Sequence, residues 1–284
     1  MKFLVSNDDG VHAPGLLALY QALSTVGDVV VVAPNDEQSG CSSALSVSKP
    51  LYAHRLPSGF IAVNGSPADC IYLALHELYP NTRFDCVITG INSGANMGQD
   101  VMFSGTFGAA LTAQIFGLPA VSTSLVGGGV KNGGQEDASR YKVAADEIVK
   151  LLVETSILET CKSLPYHVLN VNIPDVICSD DIKGRKITSL GHKQIDRPVR
   201  HMVDPRGRDA YWLSLRKRKN HVQTAEAQSP KSEEASGLYQ DENHASPTAM
   251  TDDQATAANY ISLSPVRLHH TPSYALEKLS GIEL

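Results

Sequence analysis

Asn7-Asp8-Asp9-Gly10 places two carboxylates side by side directly after a short apolar run, MKFLV. Adjacent carboxylates repel, and beside a buried strand they are costly unless a cation compensates them. A single aspartate there would cap a helix or face solvent; a cap needs only one, and a pair suits a divalent ion. Two other stretches follow apolar runs and carry neutral oxygen donors. APNDEQSGCSSALS (33–46) holds Ser39, and TGINSGANMGQDVMFSGT (89–106) holds Asn92. Asp8, Asp9, Ser39 and Asn92 form an all-oxygen set without His or Cys, suited to magnesium or manganese and not to zinc. Each alone is an ordinary loop residue; only joint placement makes a site.

Ser104, Gly105 and Thr106 open a helical pattern, where free N–H groups and the positive dipole end welcome an anion. Asn96, in SGANMG, is a further donor for the same anion. A cation beside an anion nest suggests phosphate chemistry, the metal polarising a phosphoryl oxygen and activating water. Two routes stay open: Asp9 accepting a proton from that water, or an aspartate attacking phosphorus directly. NDDG does not fit the D-x-D-x-[TV] arrangement of aspartyl-phosphate phosphatases, which lowers the second. No G-x-x-x-x-G-K-[ST], no G-x-G-x-x-G after a strand and no G-x-S-x-G elbow occurs. Phe103 and Phe107 are aromatic surfaces for a base, although core packing is the commoner use.

To bring these loops together, the chain must alternate strands and helices. KFLVS (2–6), DVVVVAP (28–34), DCVITG (85–90), LPAVSTSL (118–125) and HVLNVNIP (167–174) read as strands. Helical patterns lie between them at 15–27, 66–80, 104–117 and 139–156, the second opening on Ser66 as N-cap with Pro67 at the first helical position. The alternation predicts a mostly parallel sheet covered by helices on both faces, with ligands beyond the carboxyl ends of its strands. Residues 49–65 read as an inserted hairpin turning near Ser58-Gly59. The glycine-rich 127–134 reads as a loop. The stretch 216–258 is too polar to pack and predicts a long mobile loop or arm. NYISLSPVRL (259–268) then reads as a strand and YALEKLSG (274–281) as a terminal helix.

The 284 residues, 42% hydrophobic, suffice for one large domain. A formal charge of −6 argues against a nucleic-acid partner. Five scattered cysteines without a C-x-x-C pair suggest reduced thiols packed as small apolar groups. No run suits a membrane span, and MKFLVSNDDG lacks the layout of a signal peptide, so the expected setting is the cytoplasm, away from membranes.

SNDDGVHAPG (6–15), VVAPNDEQSG (31–40), VNGSPADCIYLAL (63–75) and VITGINSGANMGQDVMFSGTFGAAL (87–111) together resemble the survival protein SurE family of metal-dependent nucleotidases. DPRGRDAYWLS (204–214) extends the likeness. The resemblance implies one SurE-like domain over 1–284, with a Rossmann-like three-layer αβα core to about 190. An oligomerisation arm with a β-hairpin would follow over 191–284. It implies hydrolysis of nucleoside 5′- or 3′-monophosphates with one divalent cation, Mg²⁺ or Mn²⁺, in a dimer or tetramer. The family's metal-ligand pattern falls on Asp8, Asp9, Ser39 and Asn92, and its phosphate-binding pattern on Asn96, Ser104, Gly105 and Thr106. NDEQSG (35–40) departs from it, with acidic residues where many relatives carry arginines, which counts against a polyphosphate substrate. Two alternatives stand beside the enzyme: a nucleotide- or metal-binding regulatory module without turnover, and a scaffold that meets partners through the 216–258 arm.

Overall fold

The structure is a computed structural model describing residues 1–128, 138–192, 199–213, 250–267 and 280. It divides into a unit of residues 1–190 with 250–284 and a unit of residues 191–249.

The first strand, β1 (Lys2–Ser6), is buried on both sides. Phe3 and Val5 join one apolar cluster and Leu4 the other, because successive side chains of a strand point to opposite faces. β1 pairs in parallel with β2 (Asp28–Pro34) and with β5 (Cys86–Ser93). β6 (Ala120–Leu125) and β7 (Val168–Ile173) extend the parallel array. Between β2 and β5 lies the expected hairpin, β3 (Ala53–Arg55) and β4 (Ile61–Val63), which turns through Gly59 at φ +88°. β8 (Arg185–Ile187) and β11 (Ile261–Val266) complete one edge, β11 running antiparallel to β7. Among the described residues the large sheet has nine strands, in the order β3-β4-β2-β1-β5-β6-β7-β11-β8. The second unit contains the antiparallel pair β9 (Val199–Val203) and β10 (Asp209–Leu213).

Helices α1 (Pro14–Leu23) and α4 (Ala138–Glu154) cover one face through Leu16, Leu19, Leu23, Tyr141 and Ile148. Helices α2 (Pro67–Leu73) and α3 (Gly105–Ile115) cover the other through Ile71, Phe107, Ala109 and Ala113. Each fully buried Leu, Ile or Phe contributes about 1.5–3 kcal/mol. α2 begins as expected, Ser66 Oγ accepting from Asp69 N (3.0 Å) and Asp69 Oδ2 from Ser66 N (2.9 Å). Its continuation over Ala74–Leu78 is π-helical. A seven-residue helix, α5 (Ile157–Ser163), follows α4.

Three expectations change. α1 stops at Leu23 rather than running to Gly27, because the Ser24 and Thr25 hydroxyls take the carbonyls of Tyr20 and Ala22 at 2.7 Å each. β5 continues past Gly90 to Ser93 with a register shift between Thr89 and Asn92, so Asn92 lies in a strand instead of a loop. A helix, α6 (Asp252–Ala257), lies inside the stretch read as a loop or arm, with Asp252 and Ala255 fully buried. Gln254 Oε1 accepts from Thr251 N at 3.2 Å to start it. Residues 216–249, most of the 127–134 loop and all but Ser280 of the terminal helix fall outside the described residues. All five cysteines are free, Cys70, Cys86 and Cys161 being buried.

On the α3 face the strands change character towards their carboxyl ends. Leu4, Val87, Ala120, Val168 and Val266 are apolar. Two residues further along the parallel strands, Ser6, Thr89, Ser122 and Asn170 stand opposite one another, joined by Ser264, two residues before Val266 in the antiparallel β11, all buried. A second polar row follows, Asn92, Ser124, Asn172 and Ser262.

On the opposite face, Glu147 of α4 accepts from Lys150 Nζ (2.6 Å) and from the Ser179 hydroxyl and lies 3.6 Å from Arg185. Burial alone would raise its carboxyl, but these donors hold it below its ordinary value of 4.5. A carboxyl lowered by folding stabilises the protein above that value, and the contribution is lost as the pH falls through the folded pKa. Glu147→Gln should therefore cost about 1–2 kcal/mol at pH 7 and less near pH 3 in urea unfolding. An equal cost at both pH values would refute the assignment.

Candidate functional site

The Asn7-Asp8-Asp9-Gly10 turn is shaped by its own side chains. Asn7 Nδ2 donates to Gly10 O (2.9 Å), Gly10 sits at φ +98°, and Val11 N donates to Pro34 O at the end of β2 (2.8 Å). The adjacent carboxylates then diverge. Asp8 is buried and accepts from the Thr106 hydroxyl at the start of α3. Asp9 is half-buried, and its Oδ2 accepts from Ser93 N at the end of β5 (2.9 Å). Different partners thus hold the two charges that the sequence sets side by side.

Thr106 links the site's halves. Its Oγ1 also lies 3.3 Å from Asn92 Oδ1, while Asn92 Nδ2 donates to Gly94 O (2.7 Å). A hydroxyl has one proton, so with Asp8 taking it the Asn92 oxygen keeps its lone pairs for another partner. Burial pushes the Asp8 carboxyl up; the Thr106 hydroxyl and the main chain at Thr106, Asp8 and Gly105 pull it part of the way back. Among the described residues no Lys, Arg or His forms an ion pair with Asp8. A desolvated carboxylate beside neutral oxygens, without a basic partner, fits a hard cation. Among the described residues no three His, Cys, Asp or Glu side chains cluster as a metal site, so any cation here would rely on amide, hydroxyl or water oxygens as well.

Asp8, Asp9, Asn92 and Thr106 are thus brought together by β1, β5 and α3. Ser39 is not joined to them: it is exposed and donates to Glu37 Oε1 at 2.8 Å. Its loop is nevertheless fastened to the site, because Gln38 N donates to Asp8 O (2.7 Å) and Ser42 N to Phe103 O (3.1 Å). Ser104 caps α3, its Oγ accepting from Phe107 N (3.0 Å). Gly105 is required sterically: a Cβ there would lie 2.8 Å from Cys41 Sγ and 2.9 Å from Asp8 Cβ. Asn96 is buried, and its Nδ2 donates to Ser124 Oγ (3.1 Å). Phe107 belongs to the core, whereas Phe103 is 48% exposed.

Sequence reasoning assigned no role to Asn7, Ser93, Cys41 or Asp252. Burial and the Asp8 charge push the Cys41 thiol up to about 11, which keeps it protonated beside the carboxylate. The spacing of Ser93 directly after Asn92 was the only available signal for the Asp9 contact; Cys41 had none.

An α/β protein with carboxylates and amides gathered at the carboxyl edge of a mainly parallel sheet belongs to the class that binds small ligands at that edge. The sequence model of the survival protein SurE family matches residues 3–197. A 5′-nucleotidase SurE of Psychrobacter cryohalolentis is 66% identical over 286 residues, spanning 100% of both chains. That of Acinetobacter baylyi is 39% identical over 98% of both. The crystal structure of the SurE protein from Aquifex aeolicus superposes with a TM-score of 0.70 at 30% identity, covering 98% of each chain. This chain belongs to the survival protein SurE family.

Proposed function

We propose that this chain is a metal-dependent nucleotidase that hydrolyses nucleoside 5′- or 3′-monophosphates to nucleoside and phosphate. The observation that carries this reading is the cluster of Asp8, Asp9, Asn92 and Thr106, in a chain 66% identical to a 5′-nucleotidase SurE. Asp8, Asp9 and Asn92 would hold one Mg²⁺ or Mn²⁺, with Ser39 joining by exchanging its bond to Glu37. Such a cation, when bound, neutralises the carboxylates, polarises a phosphoryl oxygen and acidifies water. Thr106 keeps Asp8 from swinging away. Asp9, the more exposed of the pair, is the carboxylate suited to take the proton of the attacking water. The Asn96 segment and the first turn of α3, at Ser104, Gly105 and Thr106, bind the phosphoryl oxygens as charge shifts to the leaving group. Phe103 offers an exposed ring to the base.

The working form is a homodimer or homotetramer in the cytoplasm, without a nucleic-acid partner. Among the described residues no helix is long and apolar enough to cross a membrane. Removing divalent ions with a chelator should abolish phosphate release from a panel of nucleoside monophosphates, and Mg²⁺ or Mn²⁺ should restore it. Nucleotide binding without release under any cation would replace the enzyme by a binding module.

A further inference from the structure

The segment between β5 and α3 is held by residues distant in sequence, from β7 and α6. Asn172 of β7 grips the main chain of Asn96 at both ends: Asn96 N donates to Asn172 Oδ1 (2.9 Å), and Asn172 Nδ2 donates to Asn96 O (2.9 Å). Asn170 Nδ2 adds a second donor to that carbonyl (2.8 Å). Two residues on, Gly98 N donates to Asp252 Oδ2 of α6 (2.8 Å), and the Thr256 hydroxyl meets the Met97 sulfur (3.3 Å). Asn170, Asn172 and Asp252 are all fully buried. Burying amides and a carboxylate is costly, and apolar side chains would fill this part of the sheet more cheaply. Both Asn172 side-chain atoms, the Asn170 amide nitrogen and Asp252 Oδ2 instead bond main-chain atoms of one segment. That segment leads through the 3₁₀ turn Gly98–Met102 directly into Ser104, the cap of α3.

We infer that Asn172 and Asp252 are positioning residues of the proposed nucleotidase, fixing Asn96 and Gly98 so that the phosphate-binding segment and the first turn of α3 keep one geometry. The inference rests on the nucleotidase reading. Neither residue needs to touch the substrate. Their effect travels through the 96–104 main chain, while Asp8 is held by Thr106, Asp9 by Ser93 N and Asn92 by Gly94 O, ahead of the gripped residues. Loss of either grip should therefore loosen phosphate binding and leave the cation's requirements alone.

The full chain is assayed as wild type, Asn172→Leu, Asp252→Ala and Asp252→Asn. Rate, KM for a nucleoside monophosphate, inhibition by inorganic phosphate, half-activation by Mg²⁺ and Tm are measured for each. Asn172→Leu and Asp252→Ala should lower kcat about 10- to 100-fold and weaken phosphate inhibition by about tenfold, a loss of one strong contact's worth of affinity. Half-activation by Mg²⁺ should stay within about twofold. Asp252→Asn keeps an oxygen for the Gly98 N–H and should retain most of the rate. A lowered Tm with unchanged phosphate inhibition would make both residues merely structural and overturn the inference. So would equal shifts in the phosphate and Mg²⁺ constants. Should Asn172→Leu not fold, Asn172→Ala, which loses both bonds to Asn96 without adding a charge, supplies the same comparison. A wild type that releases no phosphate overturns the nucleotidase reading and this inference with it. An active wild type whose variants match it overturns the inference alone.

Discussion

Asp8→Asn should reduce metal-dependent phosphate release about a thousandfold, with Asp9→Asn close behind, while both chains stay folded. The reasoning is electrostatic. Asp8 is buried, and its carboxyl is raised by desolvation despite its hydrogen-bond donors. Asparagine keeps the shape and an oxygen for the Thr106 hydroxyl but removes the charge that would attract the cation. The folded state loses an unfavourable buried charge, so Asp8→Asn should also raise the Tm of the metal-free protein by a few degrees. Higher stability with lost activity separates a ligand from a structural residue. Phosphate release within tenfold of wild type would remove Asp8 from the site, and a lowered Tm would contradict its desolvation.

Gly105→Ala is the second large effect. The added methyl would sit 2.8 Å from Cys41 Sγ, 2.9 Å from Asp8 Cβ and 3.0 Å from Asp8 Oδ2, closer than non-bonded carbons approach. Either α3 shifts at its first turn or Asp8 moves off its Thr106 bond, and both displace the proposed ligand and anion sites together. The rate should fall about a hundredfold, with a destabilisation of about 1–3 kcal/mol from overpacking. Adding Cys41→Ala relieves only the sulfur contact, so the double variant should regain stability but little activity. Steady-state kinetics with urea unfolding tests this; a Gly105→Ala chain with unchanged rate would show that α3 and the aspartates are not rigidly coupled.

The sheet's parallel core was legible because its strands advertise themselves. MKFLV and DVVVVAP are continuous apolar runs, and Ser66-Pro67 marks a helix start on its own. The aspartate pair was legible because adjacency of like charges is a local oddity. The true end of β5 was not, since Gly90, at φ +125°, interrupts the pattern that defines a strand by residue type. Ser39 illustrates a different limit: its proximity to the site in sequence terms does not say which neighbour its hydroxyl chooses, and here that is Glu37. α6 was hidden by polarity. Thr251-Asp252-Asp253-Gln254 carries a helix-start signature, but a stretch so poor in apolar residues gives no face to pack. Asn172 and Asp252 were illegible in principle. Their partners are main-chain atoms 76 and 154 residues away, and a peptide N–H has no signature of its own.

β11 and α6 come late, after the excursion of residues 191–249, yet β11 pairs directly with β7 and α6 supplies Asp252. During synthesis every element from β1 to β7 leaves the ribosome before either exists. Until residue 266 emerges, β7 is an open edge carrying Asn170 and Asn172, with a row of unpaired main-chain groups available to any neighbouring strand. The last strand among the described residues is thus also a seal: it closes that edge just after α6 has brought Asp252 to Gly98. Nascent chains are consequently most exposed to aggregation over that interval.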